Sequence, residues 1–87
     1  MIDQPLRLLY FASLREQVGS AGEVLSPGAI ACVGDLLETL RARGGPWADA
    51  LGGGRRVLVA VNQEMARPET PLAPGDEVAL FPPVTGG

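Results

Sequence analysis

The 87-residue sequence contains no histidine, no lysine and a single cysteine, Cys32. Without histidine, the usual general acid or base near neutral pH is missing. Without lysine, no side-chain amine is present to form a Schiff base or accept an acyl group. One cysteine excludes an internal disulfide, and with no histidine beside it no Cys/His zinc site assembles, so no metal is expected. Apolar runs stop far short of the roughly 20 residues that a bilayer-spanning helix needs. The opening Met1-Ile2-Asp3-Gln4-Pro5 has neither the basic nor the apolar segment of a secretory signal. No membrane association and a cytoplasmic location are the expectations. Seven arginines stand against ten acids, for a net charge of -3. That leaves no cationic surplus to neutralise phosphates, so nucleic acid is not an expected partner. A self-contained catalytic apparatus is hard to build from what remains, and a carrier or partner protein is the first implication.

The residues present describe one small domain. The hydrophobic share is 46% and the charged share 20%, an ordinary globular balance with enough apolar sequence for one core. In Leu6-Arg7-Leu8-Leu9-Tyr10-Phe11-Ala12 the alternation puts Leu6, Leu8 and Tyr10 on one strand face and Arg7, Leu9 and Phe11 on the other. Ser13 is placed to cap a short helix from Leu14 to Val18, with Glu16 in its first turn and Gly19 ending it. Glu23 to Ser26 reads as a second strand, turned by Pro27-Gly28. Val33, Leu36, Leu37 and Leu40 fall at i, i+3, i+4 and i+7, the stripe of a core-facing helix. Asp35 suits its positive end, Arg41 and Arg43 its negative end, and Gly44-Gly45-Pro46 stops it. Cys32 stands where a capping serine or threonine is expected, which predicts a loosely started helix. Pro46 opens a further short helix through Leu51, and Trp47 reads as satellite core.

Arg55 to Val61 is the strongest strand signal, with Val57, Val59 and Val61 on one face. Asn62-Gln63 makes a turn, Met65 to Arg67 pairs as an edge strand, and Pro74-Gly75-Asp76 turns into a last strand, Glu77 to Phe81. Strand, short helix, strand, long helix and further strands make an α+β fold, a mixed sheet with one main helix packed on it. The Gly52-Gly53-Gly54-Arg55-Arg56 run is no phosphate loop, because it lacks the Lys-Ser/Thr ending and precedes a strand.

Chemistry concentrates in Phe81-Pro82-Pro83-Val84-Thr85-Gly86-Gly87. Two prolines follow the last strand, end its ladder and favour an extended path. Val84 and Thr85 continue that preference, and Gly86-Gly87 removes side-chain bulk so that a narrow channel in a partner admits the end. A glycine-rich end also frays without any role; the proline brace leading straight from a strand argues for a working arm. Residues 1–82 are thus expected to form the domain and 83–87 an extended, flexible tail. The Gly87 carboxylate is inert until activated, and nothing on this chain performs that activation. Phe81 is either an aromatic interface anchor or simple cover for the sheet, and Phe11 is a candidate for the same patch. Arg15 reads as a solvated helix position, and Cys32 as structural rather than reactive.

These residues resemble a known family, the ubiquitin-like sulfur carriers that form the small subunit of molybdopterin synthase. The resemblance lies in the C-terminal heptapeptide, in Pro74-Gly75-Asp76-Glu77-Val78, in Val59-Ala60-Val61-Asn62 and in Leu9-Tyr10-Phe11-Ala12-Ser13-Leu14-Arg15-Glu16. It implies a β-grasp arrangement with the first and last strands side by side. It also implies a cycle in which an ATP-dependent activating enzyme adenylates Gly87. A sulfur donor such as a cysteine desulfurase or rhodanese then makes the thiocarboxylate. The tail, Pro83 to Gly87, enters the large synthase subunit and gives sulfur to cyclic pyranopterin monophosphate. On that resemblance Gly87 is the reacting residue, Phe11 and Phe81 to Gly86 bind partners, and no cofactor is bound, ATP being used by the activating enzyme. Related carriers for thiamine, cysteine or tRNA thiolation, and a protein modifier conjugated through Gly87, remain as alternatives.

Overall fold

A computed structural model describes residues 4–52 and 57–82. The chain enters as strand β1 (Leu6–Tyr10), whose Leu6, Leu8 and Tyr10 are buried while Arg7 is exposed, as alternation requires. Helix α1 (Ala12–Val18) follows without a loop and ends on Gly19, whose φ of 74° is the left-handed conformation that glycine adopts most easily. Strand β2 (Gly22–Leu25) runs back antiparallel to β1, with Leu6 opposite Leu25 and Leu9 opposite Gly22. Helix α2 (Val33–Arg41) then crosses the sheet, and helix α3 (Pro46–Leu51) turns back beside it. Strands β3 (Leu58–Val61), β4 (Glu64–Met65) and β5 (Glu77–Phe81) complete a five-stranded sheet in the order β2-β1-β5-β3-β4.

The first and last strands lie side by side and parallel, Arg7 opposite Glu77 through Tyr10 opposite Leu80. Every other pairing is antiparallel. The sheet is therefore mixed, with β5 between β1 and β3, which is the β-grasp arrangement. One face carries the helices. Leu6, Leu8 and Tyr10 of β1, Val59 of β3 and Val78 and Leu80 of β5 meet Val33, Leu36 and Leu40 of α2, with Leu14, Ala50 and Leu51 closing the edges. Each such leucine or valine contributes about 1.5–3 kcal/mol by leaving water. Leu37 and Trp47 flank this core half-buried.

Several boundaries differ from the sequence expectation, each for a tertiary reason. Ser13 does not cap α1. The Phe11 amide continues the β1–β5 ladder by donating to the Leu80 carbonyl at 3.1 Å, and its own carbonyl accepts the first helical bond from Arg15. Phe11 is thus the N-cap, with no side-chain cap bond, and Glu16 lies beyond the first turn. Strand β2 begins and ends one residue earlier than expected, because Gly22 still pairs with Leu9. Strand β4 is Glu64–Met65 rather than Met65 to Arg67. Asn62 and Gln63 both have positive φ, 50° and 71°, which makes a two-residue hairpin turn whose pairing resumes at once with Val61 opposite Glu64. Strand β3 starts at Leu58, so Val57 falls outside it; Arg55 and Arg56 lie outside the described residues.

The start of α2 is firm, not loose. Its N-cap Cys32 makes no side-chain cap bond, but the Val33 amide donates to the Thr70 carbonyl at 3.0 Å and the Gly34 amide to the Pro68 carbonyl at 2.8 Å. Carbonyls of the loop before β5 therefore take the orphan donors that a serine side chain would have taken. Asp35 adds a return bond, its Oδ2 accepting from the Ala31 amide at 3.0 Å. Gly34 suits this approach, since a Cβ there would sit 3.2 Å from the Pro68 carbonyl oxygen, tighter than an ordinary contact.

Candidate functional site

The face of the sheet away from the helices is where the partner-binding expectation can be examined. Register fixes what it displays. Leu9 of β1, Ala79 of β5, Ala60 of β3 and Met65 of β4 are successive partners across the sheet and form one apolar row. Leu9, Ala60 and Ala79 are half-buried, while Met65 at the edge is 64% exposed. Above this row Phe81 pairs with Leu58. Phe11, one residue past β1, lies beside Phe81, because its amide is tied to the Leu80 carbonyl. The two rings meet edge to face, 6.4 Å between centroids and 75° between planes, within the range favoured by aromatic quadrupoles.

Phe11 is 46% exposed and Phe81 half-buried, so Phe11 offers the larger free surface of the two. Pro82, half-buried, follows Phe81 directly. The chain beyond Phe81 therefore departs from an apolar corner of the sheet. Pro83, Val84, Thr85, Gly86 and Gly87 lie outside the described residues. The opposite end of the same face is polar: Arg7 pairs with Glu77, and Asn62 closes the corner. The Asn62 amide donates to the Glu77 carbonyl at 2.8 Å, its Nδ2 donates to Asp76 at 3.0 Å, and its Oδ1 accepts from the Glu77 amide at 3.1 Å. Asp76 in turn accepts from the Ala73 amide at 2.8 Å, so the turn into β5 is fixed at both ends.

Behind the aromatic corner, on the helix side, the end of β1 is pinned by a polar cluster. The Tyr10 hydroxyl donates to Glu23 at 2.7 Å. Arg43 grips the same carboxylate through Nη1 and Nη2, each at 2.8 Å, and its guanidinium lies 4.6 Å from the centroid of the Trp47 ring. Trp47 packs edge-on against Tyr10 at 5.3 Å. Arg43's hydrogen bonds hold the Glu23 carboxyl below its ordinary range, against burial, which raises it. Burial, and next the bond to Glu23, push the Tyr10 hydroxyl far above its ordinary value. The pair with Glu23 likewise raises Arg43. Tyr10 is thus a neutral donor whose ring and hydroxyl are both fixed, immediately before Phe11.

Sequence reading singled out Phe11, Phe81 and Pro82, and the fold brings them to one corner. It missed Met65, whose place on the same face depends on the two-residue turn at Asn62-Gln63; a methionine two residues past such a turn was the available signal. Among the described residues no group of three metal-ligating side chains forms, and no helix is long and apolar enough to cross a membrane. Arg15 is an exposed position on α1, and Cys32 is half-buried.

Comparison with known proteins agrees with this architecture. The ThiS family matches over residues 8–87. The molybdopterin synthase sulfur carrier subunit of Escherichia coli is 45% identical over 83 residues, 94% of this chain and 99% of the relative. Among solved structures, a putative molybdopterin converting factor subunit 1 from Pyrococcus furiosus superposes with a TM-score of 0.77 at 29% identity, covering 93% of this chain and 99% of that one. The small archaeal modifier protein SAMP1 of Haloferax volcanii gives a TM-score of 0.74 at 34% identity, over 95% of this chain and 99% of that one. The mixed β-grasp sheet and the match over nearly the whole chain agree: the chain belongs to the ThiS family, alongside the molybdopterin synthase sulfur carrier subunits.

Proposed function

We propose that this chain is the sulfur-carrier subunit of a molybdopterin synthase, acting through a thiocarboxylate at Gly87. The observation that carries the reading is the aromatic corner: β5 delivers Phe81 and Pro82 beside the exposed ring of Phe11, so the Pro83 to Gly87 arm starts from a ready-made apolar docking patch. Residues 1–82 serve as the body and 83–87 as the arm.

In this reading an ATP-dependent activating enzyme adenylates the Gly87 carboxylate. The persulfide sulfur of a sulfur donor, a cysteine desulfurase or rhodanese, displaces AMP to form an acyl disulfide, and a thiol reductant cleaves its S–S bond to leave the thiocarboxylate. The large synthase subunit takes the Phe11, Phe81 and Met65 patch and draws in Gly86-Gly87, whose lack of side chains suits a narrow channel. Sulfur passes to cyclic pyranopterin monophosphate there. The patch supplies position, and position is worth several kcal/mol in a two-reactant step. No step of this reading draws on a histidine or lysine of this chain, since it has neither.

The test is intact-mass analysis after incubation with the activating enzyme, ATP and a sulfur donor. A gain equal to sulfur replacing one oxygen, lost on deleting Gly86-Gly87, is expected. Molybdopterin formation that survives that deletion sinks the reading. The likeness to SAMP1 supports a second reading, a modifier joined through Gly87 to lysines of other proteins; covalent adducts on other proteins, with no thiocarboxylate, would select it.

A further inference from the structure

We propose that this chain is an acyl donor protected against side-chain self-acylation: arginine fills its cationic positions, so an activated Gly87 finds no side-chain amine on its own surface or on a second copy. The proposal rests on the reading of Gly87 as an activated carboxyl end. An acyl-adenylate is open to any neutral amine. The amine nitrogen attacks the carbonyl carbon, a C–N bond forms, and the C–O bond to phosphate breaks. AMP leaves with the electron pair, and the nitrogen gives its proton to solvent. The amide is permanent, and a carrier so capped is lost to the cycle. Arginine is a far poorer acceptor than lysine, because its neutral fraction at a given pH is smaller by about 100-fold or more.

The structure separates arginines that need their planar fork from those that do not. Arg43 needs it, since it donates from two nitrogens to Glu23 and covers the Trp47 ring, which an ammonium does not reproduce. Arg67 reaches Glu69 only at 3.9 Å, with the two side chains 83% and 72% exposed. Any positive point charge would serve there. Arg7, Arg15 and Arg41 are exposed on β1, α1 and α2, and among the described residues their side chains form no hydrogen bond or ion pair. Folding therefore does not demand a guanidinium at Arg7, Arg15, Arg41 or Arg67. Solubility does not demand it either, because lysine carries the same charge. What arginine adds at these positions is resistance to acylation. Cys32, half-buried, offers a thioester at most, which thiols and hydroxylamine reverse.

The test uses the full chain prepared with Gly87 as a chemically made C-terminal thioester, so that it does not depend on any activating enzyme. The unsubstituted chain, R15K and R67K are held at mildly alkaline pH, treated with hydroxylamine to clear any thioester at Cys32, and mapped by intact and peptide mass. A small free amine in a parallel sample confirms that the thioester is competent. The unsubstituted chain is expected to acquire no second copy on a side chain. R15K and R67K are expected to acquire one at the substituted position, about 100-fold faster than any arginine adduct, with circular dichroism unchanged. Side-chain adducts on the unsubstituted chain at the rate of the variants would overturn the proposal. So would variants left unmodified while the free amine reacts. Failure of enzymatic loading of Gly87 would instead count against the sulfur-carrier reading and leave these rates as they are.

Discussion

The ring of Phe11 stands edge-on to the ring of Phe81, one from the residue after the first strand and one from the end of the last, with centroids 6.4 Å apart. Seventy residues separate them in sequence, and the parallel pairing of β1 with β5 brings them together. Their shared corner adjoins Pro82, directly before the residues proposed to carry the chemistry, and Phe11, the ring with the larger free surface, is the anchor to test.

F11A is expected to weaken binding to the large synthase subunit by about 2 kcal/mol, roughly 30-fold in Kd, as for a buried aromatic anchor. Because Phe11 is 46% exposed in the free chain, the urea midpoint should move little. Calorimetric titration beside a denaturation curve separates the two effects; equal loss in both would assign Phe11 to the core. M65A should weaken the same complex by a smaller factor.

Acid stability should report on Glu23. Its carboxyl is held below the ordinary value by Arg43 in the folded chain, so the unfolded chain binds that proton more readily. The pair's contribution is complete above the ordinary carboxylate value and drains away as pH falls through the depressed folded value. The difference in urea midpoint between the parent chain and E23Q should therefore be largest near neutral pH and shrink in acid. A difference independent of pH would show that the carboxylate charge is not what matters.

E23A goes further, because it leaves the Tyr10 hydroxyl buried without its acceptor. A cost of about 1.5–3 kcal/mol is expected for losing hydrogen bonds to a charged group. Y10F in the same background should recover part of it, since it removes the stranded donor. A double-mutant cycle in urea checks the coupling.

Gln63 sits at a φ of 71° with a side chain that disfavours it. Q63G should raise stability by about 0.5–1 kcal/mol, an exception to glycine's usual cost. The opposite sign is expected for G34A, whose new methyl would meet the Pro68 carbonyl oxygen at 3.2 Å. Overpacking of this kind costs about 1–3 kcal/mol. Thermal melts of both variants suffice.

The strands and the long helix were legible because their signals are local. Alternation at Leu6, Leu8 and Tyr10, and the i, i+3, i+4, i+7 spacing from Val33 to Leu40, each name a buried face without knowledge of the rest. What escaped depends on partners distant in sequence. The carbonyls of Pro68 and Thr70 replace the missing cap at Cys32 from more than thirty positions away, and nothing near Cys32 announces them. Arg43 closes on Glu23 across twenty positions, so a residue that looks like an ordinary helix-end cation is half of a clamp. Met65 shares the sheet face of the aromatic corner only through the register that the Asn62-Gln63 turn imposes.

Parallel pairing of the first and last strands also gives the molecule a mechanical character. A pull along the chain beyond Phe81 loads the β1–β5 and β3–β5 ladders in shear, many bonds sharing the force at once, instead of peeling them one by one. A carrier of the kind proposed, passed from one enzyme to another, would meet such loads at each hand-over, and this pairing is the arrangement that resists them.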